Sequence, residues 1–206
     1  MALNKILVLF AHPLFEKSTV NKILVEHIPK NNNITFHDLY EQYPDFDIDV
    51  AKEQQLLLEH NIIVWHHPMY WYSCPPLLKQ WIDIVLEFGW AYGKSGTMLK
   101  GKYIFQAITT GGVEENYCAA GLNRFSIPDL LQPFNQTAHM CNMEYLPPFV
   151  VHGTHRMAPS EAQKFGNSYK NLLLYLMSNN INITEIKQHY YLNKWFNGLN
   201  LSTHEH

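Results

Sequence analysis

This sequence has no close pair of cysteines, no block of basic residues and no long apolar run, and each lack removes a class of protein. Its three cysteines, Cys74, Cys118 and Cys141, are odd in number and far apart. That suits a reducing compartment, the cytoplasm, better than a disulfide framework, and each single cysteine reads as a small buried hydrophobe. Fifteen Lys and Arg against eighteen Asp and Glu leave a formal charge of −3. No Lys/Arg cluster is present that could track a phosphate backbone, which sets nucleic acid aside as a partner. No stretch reaches the roughly 18 uncharged apolar residues of a membrane-spanning helix, so direct membrane insertion is not expected and any membrane association passes through a partner. The opening MALNKILVLF lacks the longer apolar stretch and small-residue cleavage site of an export signal. Twelve histidines invite a metal, yet His66-His67 and His152-x-x-His155 have no companions at zinc-ligand spacing, and no metal site is expected.

What is present describes an ordinary globular chain: 206 residues, 47% hydrophobic and 16% charged. A chain of this length buries roughly 70% of the surface its unfolded form exposes, so its core needs no covalent staple. Aromatic content is 14%, with five Trp and twelve Tyr, which fits either a planar ligand or a core filled with large side chains. Five short apolar runs stand out, residues 5–10 (KILVLF), 34–37 (ITFH), 62–65 (IIVW), 102–109 (KYIFQAIT) and 145–152 (YLPPFVVH). Their β-branched content and lack of polar alternation predict strands buried on both faces. Helical patterns fill the gaps at about 19–27, 50–60, 76–88, 128–139 and 159–177. In the third, Leu77, Trp81, Ile84, Val85 and Phe88 form an apolar stripe at spacings of three and four, behind prolines suited to a first turn. Strands alternating with helices mean right-handed βαβ units, hence an α/β three-layer sandwich: a five-stranded parallel sheet with helices on both faces. This domain is expected over 1–178. Residues 179–206 form a polar C-terminal extension, either a docked helix or a mobile tail.

In such sheets ligands bind outside the carboxyl ends of the strands, where the winding reverses. Three loops there are chemically unusual. After the first run, His12 stands at the strand tip, and Ser18, Thr19, Val20 and Asn21 open a helix. Hydroxyls and free backbone N–H groups make this a ready anion site; the competing reading is a plain helix cap with a histidine bonded inside its own loop. After the third run, Pro68, Met69, Tyr70, Trp71 and Tyr72 offer an apolar, aromatic wall for a flat ring, or else a cluster sealing the domain edge. After the fourth, Thr109-Thr110-Gly111-Gly112 lets backbone approach a ligand closely, or simply turns the chain.

The combination of AHP with Ser18 and Asn21, HPMYWYSCPPLLKQWID, GWAYG, GKYIFQAITTGG and LPPFVVHG resembles the flavodoxin-like NAD(P)H:quinone oxidoreductase family. It is nearest the small bacterial branch that contains ancillary oxidoreductases of Kef-type potassium-efflux systems. The likeness runs from about residue 5 to 175. It implies FMN as cofactor, in preference to FAD, whose adenosine half would need wall residues the sequence does not offer. It also implies NAD(P)H as co-substrate, a quinone-like acceptor, a homodimer and an association with a potassium-efflux transporter. His12 and residues 18–21 look like the flavin phosphate and ribityl site, and residues 68–72 and 109–112 like the two walls of the isoalloxazine. Tyr117 matches a tyrosine that stabilises charge beside the flavin, while Asn123 stands where the family's partner histidine would be. Tyr92 resembles a pocket tyrosine reaching the partner subunit's flavin. Two other functional classes remain: a regulatory subunit using the flavin site as a sensor, and a one-electron flavodoxin carrier.

Overall fold

Two stretches, Ile6–Phe10 (β1) and Ile62–Pro68 (β3), are buried at every position, as strands covered on both faces must be. A computed structural model describes residues 3–178 and 180–202. Four further strands are Ile34–Asp38 (β2), Tyr103–Thr109 (β4), Glu144–Tyr145 (β5) and Phe149–Val151 (β6). All pairings are parallel, in the order β2-β1-β3-β4-β5, with β6 also beside β4. The fifth apolar run is thus one edge strand in two pieces. Pro147 and Pro148 lack the N–H that continuous pairing needs, and the ladder resumes after them.

Period-two alternation assigns each strand residue to one of two cores. Leu7, Leu9 and Trp65 face one side, beneath Val50–Glu59 (α3), Pro76–Val85 (α4) and Gln132–Met140 (α6). Ile6, Val8 and Val64 face the other, beneath Thr19–Glu26 (α1) and Pro159–Ser178 (α7). Short helices Leu39–Gln42 (α2) and Ile127–Leu130 (α5) complete the layers; the pattern expected over 128–139 is divided between α5 and α6.

α4 stops at Val85, earlier than its apolar stripe, before the left-handed turn at Gly89 (φ 84°). Its buried face is Leu77, Leu78, Trp81, Ile82 and Val85, whereas Ile84 is exposed and Phe88, beyond the helix, is 75% exposed. Beneath the same face lies Glu53, fully buried, whose carboxylate accepts from His37 (2.8 Å), Tyr43 (2.6 Å) and Trp81 (2.7 Å). Burial alone would raise its pKa, but these hydrogen bonds and the nearby His37 outweigh it and hold the carboxyl below its ordinary range. Cys74 and Cys141 are buried, with thiols pushed up to about 11 by desolvation. Cys118 departs from the expectation and is exposed.

Residue 179 and residues 203–206 of the extension lie outside the described residues. The rest is docked: Ile183–Ile186 (α8) and Leu192–Ser202 (α9) bury Ile186, Leu192, Trp195 and Phe196 in the α7-side core. No helix among the described residues is long and apolar enough to cross a membrane.

Candidate functional site

The chain leaves β1 toward β2 on one side and crosses to β3 on the other, so the winding reverses at the carboxyl ends of β1 and β3. A hollow of about 460 Å³ opens there. It brings together His12, Ser18, Thr19, Val20, Asn21, Pro68, Met69, Tyr70, Thr109 and Gly111, ten of the expected residues from three separate loops. A neighbouring hollow of about 290 Å³ shares Met69 and adds Trp71, Tyr72, Gly112, Tyr117 and Asn123.

At one end stands the N-terminus of α1. Ser18 caps it, its Oγ accepting from the Asn21 amide at 3.3 Å, while the first amides of the helix have no intrahelical acceptor and carry its positive dipole end. The lining includes Lys17 and no carboxylate, which suits an anion. His12 is held inside its loop, its Nδ1 accepting from the Leu14 amide at 3.2 Å, and burial keeps its pKa below the ordinary histidine value.

Asn21 braces the floor, its amide donating to Ser18 Oγ (3.0 Å) and Thr109 Oγ1 (3.1 Å). Its carbonyl accepts from His66 Nε2 at 3.3 Å, and His66 Nδ1 faces the Tyr169 hydroxyl at 3.5 Å. On the opposite face of β3, His67 Nδ1 donates to Pro68 O (3.0 Å) and Nε2 accepts from Gln106 (3.0 Å), which in turn accepts from Tyr145 (2.6 Å). Desolvation is the main cause that drops both histidines, to about 3 for His66 and about 4 for His67, so both are neutral and act as fixed struts behind the loops.

At the other end, Tyr70 and Ser73 exchange backbone hydrogen bonds (3.2 and 3.0 Å) around a tight turn. Trp71 (φ 46°) and Tyr72 (φ 63°) occupy its apex in left-handed conformation, which costs about 1–2 kcal/mol for each non-glycine residue. Trp71 is 92% exposed, so burial of its own ring does not offset that cost. The Met69 amide donates to Thr109 O (2.9 Å), tying this loop to the end of β4. Tyr72 donates to Asn123 at 3.3 Å.

Gly111 and Gly112 let neighbouring side chains approach the loop closely. A Cβ at Gly111 would stand 2.2 Å from His155 Nε2, and one at Gly112 would meet Asn116 and Tyr117 at 3.3 Å. Two expected residues fall elsewhere. Thr110 is buried behind the hollow, its hydroxyl donating to Gly112 O (2.9 Å), because its backbone is clasped by Val151 and Thr154. Tyr92 lies against Phe88 on the outer surface of α4 and α6, in a separate hollow of about 270 Å³ with Asp83 and Met140; Asp83 is paired there with Lys79 at 2.5 Å.

Sequence reasoning missed Thr154 and His155, which line the larger hollow, and His152, whose ring lies 5.4 Å from that of Tyr117. All three follow β6, and only the clasp between that loop and Thr110 brings them in.

The model of a family described as having a flavodoxin-like fold matches residues 4–173. The glutathione-regulated potassium-efflux system ancillary protein KefG of Salmonella paratyphi B is 46% identical over 165 residues, 80% of this chain and 90% of that protein. General stress protein 14 of Treponema denticola, solved in complex with FMN, is 42% identical with a TM-score of 0.80, covering 84% of this chain and 99% of its own. An NADPH-quinone reductase from P. pentosaceus is 31% identical with a TM-score of 0.75, covering 86% and 99%.

Proposed function

Since the chain belongs to the flavodoxin-like family, we propose that it is an FMN-dependent oxidoreductase that carries two electrons from NAD(P)H to a quinone-like acceptor. The observation that carries this reading is the convergence of three loops on one cleft with a dipolar, lysine-bearing end and an aromatic end, within the volume range of ligand pockets. At Gly111 and Gly112 the glycine backbone lets the side chains of His155, Asn116 and Tyr117 close up against this loop.

The residues present fit FMN. The amides of Thr19 and Val20 and the Ser18 hydroxyl, with Lys17 and His12, would hold the phosphate, the Ser18 amide being donated to Phe15 O (3.0 Å). Met69, Tyr70, Trp71 and Tyr72 would form one wall of the ring slot, and Thr109, Gly111 and Gly112 the other. Bound FMN supplies reversible hydride acceptance and donation. The protein's own part is orientation, exclusion of water, and donor groups placed where negative charge develops. Tyr117, at the mouth of the slot, would donate a hydrogen bond to that charge. Thr110 acts from behind by fixing the glycine loop.

The test is steady-state turnover of NADPH with a simple benzoquinone. Parallel double-reciprocal lines are expected, since both substrates use one slot in turn. An FMN-loaded protein that gives no turnover would overturn the reading.

A second reading draws on the similarity to KefG: the same chain, in the cytoplasm, docks on a potassium-efflux transporter with its flavin site as sensor. Capture by the transporter's cytoplasmic domain, alongside absent quinone turnover, would favour it. A homodimer through the α4–α6 surface belongs to either reading and places Tyr92 toward the partner subunit; sedimentation equilibrium tests it.

A further inference from the structure

The family match ends at residue 173, yet the later segment docks on the α7-side core and brings Tyr191, Asn193 and Lys194 beside the loops of the candidate site. Asn193 brackets the edge strand β6, donating to Val150 O (2.7 Å) and accepting from the Val150 amide (3.1 Å). From the same start of α9, the Tyr191 ring lies 5.6 Å from that of His152, which is itself 5.4 Å from the Tyr117 ring. Lys194 lies over the Tyr191 ring and ion-pairs with Glu114, in the short 3₁₀ turn that ends just before Tyr117.

The state of His152 follows from its neighbours. The Thr110 hydroxyl gives its proton to Gly112 O, so it accepts from His152 Nδ1–H at 3.1 Å. Nε2 is then the unprotonated nitrogen, buried and without a hydrogen-bond partner among the described residues. Leaving an acceptor unpaired costs free energy, and it is tolerated here where the histidine ring contacts those of Tyr117 and Tyr191.

Resting on the proposed reductase function, we propose that segment 180–202 is a strap added to the family fold, and that Tyr191 and Lys194 are positioning residues: through His152 and Glu114 they hold Tyr117 at the mouth of the ring slot and so shape the acceptor site. The backbone bonds of the Tyr117 turn are local, Asn116 N to Val113 O (3.1 Å), Tyr117 N to Glu114 O (2.9 Å) and Asn123 N to Asn116 O (2.9 Å); apart from the strap it is held by the Tyr72 hydroxyl on Asn123 (3.3 Å) and by the packing of Tyr117 on the core, while Leu122 and Phe125 beyond it are exposed.

The experiment combines hydrogen exchange of the full chain with quinone kinetics. Tyr191→Leu, which removes the ring contact, is expected to speed exchange of the 113–123 peptide about tenfold. Lys194→Ala, at an exposed side chain, should do so about two- to fivefold. Exchange across β4 should stay unchanged in both, KM for benzoquinone should rise by similar factors, and flavin affinity and the NADPH half-reaction should hold. Tyr191→Phe, which keeps the ring, should behave as the parent. Unchanged exchange at 113–123 overturns the proposal, and so does faster exchange with an unaltered KM. If Tyr191→Leu releases the whole segment, Lys194→Ala decides. Exchange in the flavin-free chain needs no turnover, so a responding loop in a protein inactive on quinone overturns the function and leaves the strap's hold on the loop standing.

Discussion

Acidification from pH 7.5 to 5.0 should remove about 4 kcal/mol of folding stability, because two neutral histidines are sealed into β3. His66 and His67 titrate near 6.5 when free and at about 3 and about 4 in the fold. Between those values the unfolded chain binds protons that the folded chain refuses, so stability falls as pH falls. Each pH unit is worth about 1.4 kcal/mol per group. One and a half units below 6.5 is therefore about 2 kcal/mol per ring, or about 4 for both, a large share of the roughly 5–15 kcal/mol that holds such a domain together. Burial lowers His12, His60 and His152 in the same direction. Glu53, held below the ordinary carboxylate range, stays ionised throughout and enters only at lower pH. Urea unfolding followed by tryptophan fluorescence at pH 7.5, 6.5 and 5.0 measures the loss. In His67→Asn it should shrink by about 2 kcal/mol, whatever the variant's stability at pH 7.5. A loss under about 1 kcal/mol in the parent protein would refute the reasoning, since it would mean that these rings are hydrated or already charged.

Three further outcomes follow from the geometry. Trp71→Ala should change stability by less than about 0.5 kcal/mol, because the ring packs on nothing, yet weaken FMN binding about tenfold to a hundredfold through lost stacking; flavin fluorescence titration measures it, and unchanged affinity would remove Trp71 from the wall. Glu53→Leu strands three buried donors and should cost about 3–5 kcal/mol in urea unfolding, with a cost under about 1 kcal/mol showing that water replaces the carboxylate. Tyr117→Phe should lower quinone turnover less than about tenfold, because Asn123 faces Tyr72 and cannot relay a proton; a loss beyond about a hundredfold would give Tyr117 a larger part.

Much of this molecule is legible in its residues. β1 and β3 are uninterrupted apolar runs because both faces are covered, and Ser18 announces α1. The loops after β1, β3 and β4 could be joined before any coordinates, since sheet topology dictates where they meet. Other features depend on partners distant in sequence. The stripe through Ile84 and Phe88 has helical spacing, but the core beneath α4 sits a few tens of degrees round the helix, against Leu78 and Ile82. Thr110 looks like its glycine neighbours until the clasp with Val151 and Thr154 turns it inward. His66 and His67 read as a failed metal motif, whereas Asn21 and Gln106 make them struts. The Asn-rich extension has too weak an apolar pattern to announce a docked helix, and only the face of α7 completes it. α2 is a single turn, too short for periodicity to reveal.

The most direct test of the shared cleft is to titrate the flavin-free chain with FMN and count what binds. One FMN per chain, with affinity reduced separately by Ser18→Ala at one end and by Trp71→Ala at the other, is the predicted result. A chain that takes up no FMN, or that binds it equally well with both ends altered, would contradict the convergence of these loops on a flavin.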